Sequence, residues 1–477
     1  MKKNFLIFQI DGLSADVLKE AIEQGFMPFV RQVLEKKKYN LQKYNTGVPA
    51  VTSRFQAGVM YGKPNNVPGM IWFDKESSKF FCASIGEEVK EIEKKKGKGI
   101  LEGGFSISNV FSGGAEESFS PSSFFGLGSP LFPKKFAILS IILLPFVILA
   151  DLLFSLFTRS RKGEFLESIF GEFIIRKNIS RILKEAVKMR VPIYVNFIGY
   201  DARSHAFGRK SRWALKALQG IDKIIREVYD LANKNYYFFI LSDHGQVDCF
   251  SFDKIFGQSL ANFVKEKSGK EIIDGEKIKK ALIFQSIKVE REFSHSKWVR
   301  LLFRLAYGIG RLYYRDVKFQ NLPYYFDENN SILIVNQGDI SQIYFLEERR
   351  KLFFEEIEKL YPDFIRLLGN HYGVGTVVGL SRKGIKIING EGEFFNKKFV
   401  VASLTKLLRM KNSGDLIILG KRVGEKVISF SSGKKSVHGG IEKEEQEVFL
   451  IYPKIFSKKL SSVKKPKDLY RFFIEFH

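Results

Sequence analysis

Four short apolar runs, each adjoining a polar cluster, constrain the fold of this chain more than any other feature. Phe5–Ile10 leads into Asp11-Gly12, Ile193–Ile198 into Gly199-Tyr200-Asp201, and Tyr236–Leu241 into Ser242-Asp243-His244-Gly245, while Val448–Tyr452 follows His438-Gly439-Gly440. Apolar runs of this length, without alternation, suit strands covered by helices on both faces. Between them, Ser14–Glu35 reads as helix broken between Gly25 and Pro28. Ser211–Asn233 carries Leu215, Leu218, Ile221, Ile225 and Val228 at helical spacing. The pattern predicts an α/β fold with a mostly parallel central sheet and helices on both faces. Ligands of such sheets gather beyond the carboxyl ends of the strands, where Asp11, Asp201 and Asp243 fall.

This places the catalytic core in residues 1–95, 191–255 and 431–477, with 96–190 and 256–430 as inserted helical or cap regions. Gly97–Gly128 is rich in Gly and Ser and reads as loop. Phe136–Phe157 is the most apolar stretch, with Asp151 as its one charge and Pro145 near its middle. It is long enough to span a bilayer, yet a single crossing would separate Asp11 from Asp201, Asp243 and His438. Basic residues lie on both flanks, Lys134 and Lys135 before and Arg159, Arg161 and Lys162 after, and positive charge favours the cytoplasmic side. With Pro145 turning the chain back, the expectation is a re-entrant or interfacial hairpin; the alternative is a helix pair buried in protein. Phe5–Ile10 is too short for the apolar region of a signal peptide, so a cytoplasmic protein with peripheral or re-entrant membrane association is expected.

Of the 477 residues, 45% are hydrophobic and 27% charged, which supports a large core and excludes bulk disorder or a collagen-like chain. Cys82 and Cys249 are the only cysteines, too few for a thiolate zinc cluster or a disulfide scaffold. Lys and Arg outnumber Asp and Glu by 77 to 52, a net charge of +25. Such an excess points to nucleic acid, a membrane surface or a phosphate compound. No nucleic-acid-binding motif accompanies it, so no nucleic acid is expected. Ser296–Arg315 interleaves Arg300, Arg304, Arg311 and Arg315 with Trp298, Leu301, Leu302 and Phe303, as an interfacial helix would; a helix packed on the core has a similar pattern.

The strand ends supply Asp11, Asp201 and Asp243, and three of the six histidines, His205, His244 and His438, lie beside them or in a glycine-flanked turn. Carboxylate and imidazole are ligands for divalent ions. Asp201 and His205 are four residues apart, and adjacent Asp243 and His244 point in different directions, which suits two ions about 3.5–4 Å apart. Taken singly, each residue has an ordinary structural use as a cap, turn or core residue. A hydroxyl nucleophile is offered by Pro49-Ala50-Val51-Thr52-Ser53-Arg54, ahead of a stretch that can open a helix. Thr52 is the preferred nucleophile and Ser53 its competitor, with Arg54 available to contact a phosphate oxygen.

In order, Gln9-Ile10-Asp11-Gly12-Leu13, Pro49-Ala50-Val51-Thr52 with Gly62, Asp201 through His205, Ser242-Asp243-His244-Gly245 and Val437-His438-Gly439 resemble the alkaline phosphatase superfamily, specifically its type I phosphodiesterase/nucleotide pyrophosphatase branch. The resemblance implies a two-metal phosphoric ester hydrolase. Asp11, Thr52, Asp243 and His244 would hold one divalent ion, and Asp201, His205 and His438 the other; zinc suits these ligands and manganese also fits. Phe55-Gln56-Ala57-Gly58, Val67 through Asp74, Asn109 through Gly113 and Asn336-Gln337-Gly338-Asp339 resemble an uncharacterised bacterial subgroup of predicted phosphodiesterases. Ser53-Arg54-Phe55-Gln56 stands where nucleotide pyrophosphatases carry Pro-Asn-His, so nucleotide specificity is not implied, and the sulfatase pattern Cys-x-Pro-x-Arg is absent. The implied substrate is a phosphate ester, with a membrane surface as probable partner. The alternatives are a phospho-group transferase acting on a lipid or lipid-linked substrate, and a non-catalytic membrane- or nucleic-acid-binding protein.

Overall fold

The computed structural model describes residues 3–84, 86–119, 172–279, 331–388, 394 and 396–476. Phe136–Phe157 and Ser296–Arg315 lie outside the described residues. The central sheet has seven strands: β1 (Asn4–Ile10), β2 (Tyr39–Asn45), β3 (Phe105–Ile107), β4 (Glu117–Phe119), β5 (Ile193–Phe197), β6 (Tyr236–Leu241) and β7 (Glu447–Pro453). Their order is β2-β7-β6-β1-β5-β3-β4. The block from β6 to β4 is parallel, and β7 runs antiparallel to β6 and β2.

β1 explains why its run does not alternate. Leu6, Phe8 and Ile10 enter one apolar cluster, and Phe5 and Ile7 enter another on the opposite face. The first cluster is roofed by α1 (Ala15–Glu23), α2 (Pro28–Glu35), α4 (Glu172–Ala186) and α6 (Arg212–Ala232). The second is roofed by α3 (Thr52–Tyr61) and α7 (Pro466–Ile474). α5 (Gly199–Phe207) follows β5 directly. The break between α1 and α2 falls where Gly25 and Pro28 require it, and Ser211 caps α6 by accepting a hydrogen bond from the Ala214 amide. Because β7 is reversed, the residues before it reach the same sheet edge as the residues after β1, β5 and β6. That reversal brings His438 to the aspartates.

The segment read from sequence as loop, Gly97–Gly128, supplies β3 and β4 to the central sheet. Each has three residues, too few for a pattern of two to emerge. The 256–430 region, expected as a cap or insertion, has strands among its described residues. It is built on a second sheet of six strands, ordered Glu271–Asp274, Ser331–Gln337, Ile340–Phe345, Leu416–Gly420, Val374–Ser381 and Gly384–Ile388. The strand Val247–Ser251 pairs with Lys426–Ser429 and Ser436–Val437, returning the chain to His438. Among the described residues, no helix is long and apolar enough to cross a membrane.

Candidate active site

The ends of β1 and β6 are sewn together by their own backbone. The Gly12 amide donates to Asp243 Oδ1 at 3.2 Å, and the Leu13 amide donates to Ser242 Oγ at 3.1 Å. Gly12 has φ +75°, and a Cβ there would lie 2.7 Å from Asp201 Oδ1, so both conformation and space require glycine. Asp11 closes β1, and Thr52 opens α3 with Val51 as its extended N-cap. Thr52 Oγ1 lies 3.4 Å from Asp11 Oδ1 and 3.2 Å from His244 Nε2. His244 Nε2 in turn lies 3.4 Å from Asp11 Oδ1 and 3.3 Å from Asp243 Oδ2. Ser53 points elsewhere, its hydroxyl donating to the Gly69 carbonyl at 2.8 Å.

Asp201 and His205 sit one turn apart on α5, with His205 Nε2 at 3.4 Å from Asp201 Oδ2. His438 Nε2 lies 3.7 Å from Asp201 Oδ1. Gly439 after it has φ +130°, and a Cβ there would meet the Gln337 carbonyl at 2.4 Å. The His438 and His244 rings stack at 3.8 Å between centroids.

The three imidazoles share one orientation. Nδ1 of His205 faces the Ser436 carbonyl at 2.8 Å, Nδ1 of His438 the Ala50 carbonyl at 2.9 Å, and Nδ1 of His244 the Gly245 carbonyl at 3.1 Å. A carbonyl fixes the proton on Nδ1 and leaves the Nε2 lone pair free for a cation. Ligand atoms of Asp201, His205 and His438 lie within 4.8 Å of one another, as do those of Asp11, Asp201 and His244. Asp201 belongs to both groups. Asp243 Oδ2 is buried without a hydrogen-bond partner, an acceptor that a cation would satisfy.

The electrostatics have the same character. Burial pushes the Asp243 carboxyl up to about 7, and burial together with Asp243 and Asp201 raises Asp11. Burial also acts against Asp201, but His205, His438 and His244 outweigh it and hold that carboxyl well below the usual range. Burial lowers His205 to about 4, and burial and His244 lower His438 well below its ordinary value. Neutral imidazoles facing crowded carboxylates form a donor set that a divalent ion would relieve.

Several supporting residues escaped the sequence reading. Asn196 Nδ2 donates to Asp11 Oδ2 at 2.8 Å, and Gln246 donates to the Asp201 carboxylate. Gln56 donates to Gln9 and Asn109, fastening α3 to β1. Gln446 Nε2 donates to the Gly440 carbonyl at 2.7 Å while its Oε1 accepts from the Gly47 amide at 2.9 Å, tying the His438 turn to the segment before Thr52. The available signal was an amide inside an apolar strand, as for Gln9 and Asn196. Arg54 donates from Nη1 to the Pro64 carbonyl at 3.2 Å and faces Met410 Sδ at 3.6 Å.

The family that this sequence matches is one of phosphoric ester hydrolases. Residues 5–298 match the profile of the type I phosphodiesterase/nucleotide pyrophosphatase family, and the chain belongs to that family. No curated protein matches the sequence. Among solved structures, wild-type alkaline phosphatase PafA superposes with a TM-score of 0.54 at 13% identity, covering 95% of this chain and 91% of that one. Murine ectonucleotide pyrophosphatase/phosphodiesterase 5 superposes with a TM-score of 0.50 at 11% identity, covering 99% of this chain and 94% of that one. At these identities the likeness is one of fold.

Proposed function

We propose that this protein is a two-metal phosphodiesterase with Thr52 as nucleophile. The observation that carries the reading is the convergence of three Nε2 atoms and three carboxylates beside Thr52 Oγ1 at a helix N-terminus. Asp11, Thr52, Asp243 and His244 would hold one divalent ion and Asp201, His205 and His438 the other, with Asp201 near enough to serve both. Zinc suits these donors and manganese shares them. Bound divalent ions supply charge neutralisation and lower the pKa of hydroxyl groups and water.

The chain's own residues do the rest. Thr52 Oγ1 gives up its proton and attacks phosphorus, the bond to the leaving oxygen breaks, that oxygen departs as an alcohol once protonated from solvent, and the phosphoryl group, still carrying its second ester, rests on Thr52. Water then cleaves the Thr52–phosphorus ester, restoring the hydroxyl and releasing a phosphate monoester. The first amides of α3 have no intrahelical acceptor and face the incoming anion. Engagement of the Ser53 hydroxyl with Gly69 supports Thr52 over its neighbour.

The catalytic core in this reading is 1–95, 191–255 and 431–477, with β3 and β4 completing its sheet. We extend the proposal to a phosphate diester presented at a cytoplasmic membrane face, on the strength of the net charge of +25 and the basic flanks of Phe136–Phe157. Thr52→Ala should lower kcat on bis-p-nitrophenyl phosphate by about a thousandfold or more while metal content stays near that of the wild type. A wild-type rate in that variant overturns the assignment.

A further inference from the structure

Arg54 and Lys96 are buried cations that the proposed chemistry leaves unused. Arg54 is 9% exposed and Lys96 5%. Lys96 Nζ donates to the Lys63 carbonyl at 2.7 Å and the Asn65 carbonyl at 3.2 Å, while Arg54 Nη1 takes the Pro64 carbonyl between them. Both side chains therefore converge on one loop. The Lys63 ammonium reaches the same place, lying 3.4 Å from where a Cβ on Gly97 would stand. No carboxylate among the described residues offsets these charges. Burial, with Arg54 and Lys63 close by, lowers Lys96 to about 8. The nearby acids are engaged elsewhere: Glu93 accepts from Tyr61 and Ser112, Glu91 pairs with Lys79 and Lys95, and Glu102 pairs with Lys98.

Burying a charge without a counter-charge is strongly unfavourable, and two such cations beside each other compound it. Arg54 also has unused N–H donors, because only Nη1 has a protein partner. A guanidinium fork beside ammonium groups matches the tetrahedral oxygens of a phosphate. This cluster is not the Thr52 face: residues i and i+2 of a helix do not face each other, so Thr52 and Arg54 leave α3 in different directions.

We propose that Arg54, Lys63 and Lys96 form a second anion site, apart from the Thr52 and metal-ligand cluster, that takes a phosphate group, supplied as inorganic phosphate or as a phosphomonoester lipid headgroup. The inference does not depend on the reaction proposed for Thr52. Calorimetric titration of the metal-loaded protein with inorganic phosphate tests it. Two binding events are expected, of which one vanishes with chelator and the other persists. The persistent event should weaken about tenfold in Lys63→Met, a change at an exposed position that leaves folding intact, and disappear in Lys96→Met. Absence of a chelator-resistant event in the wild type, or equal affinity in both variants, overturns the site. Loss of the chelator-sensitive event alone would count against the active-site reading and leave this one standing. Co-sedimentation with phosphatidic acid vesicles, against phosphatidylcholine alone, separates the sources. Vesicle binding that phosphate competes away and Lys63→Met weakens assigns the headgroup; phosphate binding without it assigns the free ion.

Discussion

The two halves of the candidate active site differ in how far they are withdrawn from water. Asp243 and His244 are fully buried and Asp11 is 4% exposed, whereas the side chains of Asp201, His205 and His438 retain 19%, 17% and 14% exposure. The first half sits directly on the ends of β1 and β6, pinned by backbone amides. The second is carried by a helix turn and a glycine-flanked turn. The dry half raises its carboxylates, and the wetter half holds Asp201 ionised against its imidazoles. In the proposed reaction the difference amounts to a division of labour: a desolvated half beside Thr52, and a partly exposed half through which solvent reaches the site.

The contrast is broken most severely at Asp243. Its Oδ2 has no hydrogen-bond partner, so Asn there removes a charge that no other acceptor replaces. Asp243→Asn should reduce kcat/KM by about a thousandfold or more, without recovery in added metal. His205→Ala, in the half that solvent reaches, should cost about a hundredfold, with recovery as zinc or manganese is raised to millimolar levels. Steady-state kinetics across a metal series measures both, and equal behaviour of the two variants would erase the distinction.

A smaller effect appears in pH dependence with metal chelated. Asp243 moves from an ordinary 3.8 to about 7 in the folded protein. Between those values the folded state keeps a proton that the unfolded state has released, so this group lowers stability as pH rises through the window. His205 falls from 6.5 to about 4. There the unfolded state holds the extra proton, and stability rises with pH across that window. Relative to the chelated wild type, the thermal midpoint of Asp243→Asn should climb toward pH 7, and that of His205→Ala should decline over the same range. Parallel profiles would show that the halves are not electrostatically opposed.

Much of this site was legible because its residues punctuate apolar runs. Asp11, Asp201 and Asp243 follow strands whose sequences leave no polar face, and a buried strand that ends in a carboxylate marks a sheet edge. The direction of β7 was not legible, since an apolar run reads the same whether parallel or antiparallel; the sheet pairing supplies it. β3 and β4 were hidden by their length. Ser331–Gln337 and Leu416–Gly420 are apolar strands comparable to those of the core, but neither runs into a paired carboxylate and imidazole that would mark a second sheet. The amides of Asn196, Gln246 and Gln446 act through hydrogen bonds that only the tertiary structure reveals. Arg54 stood beside Thr52 in sequence, yet helix geometry turns it toward Lys96 and the Pro64 loop.

The central claim is that the dry and the wetter halves each hold one divalent ion around Thr52. Elemental analysis of the purified protein tests it directly, with the wild type compared with a His205→Ala, His438→Ala double variant. The account predicts about two ions per chain in the wild type and about one in the variant. A single ion in the wild type, or no change on removing both imidazoles, would contradict it.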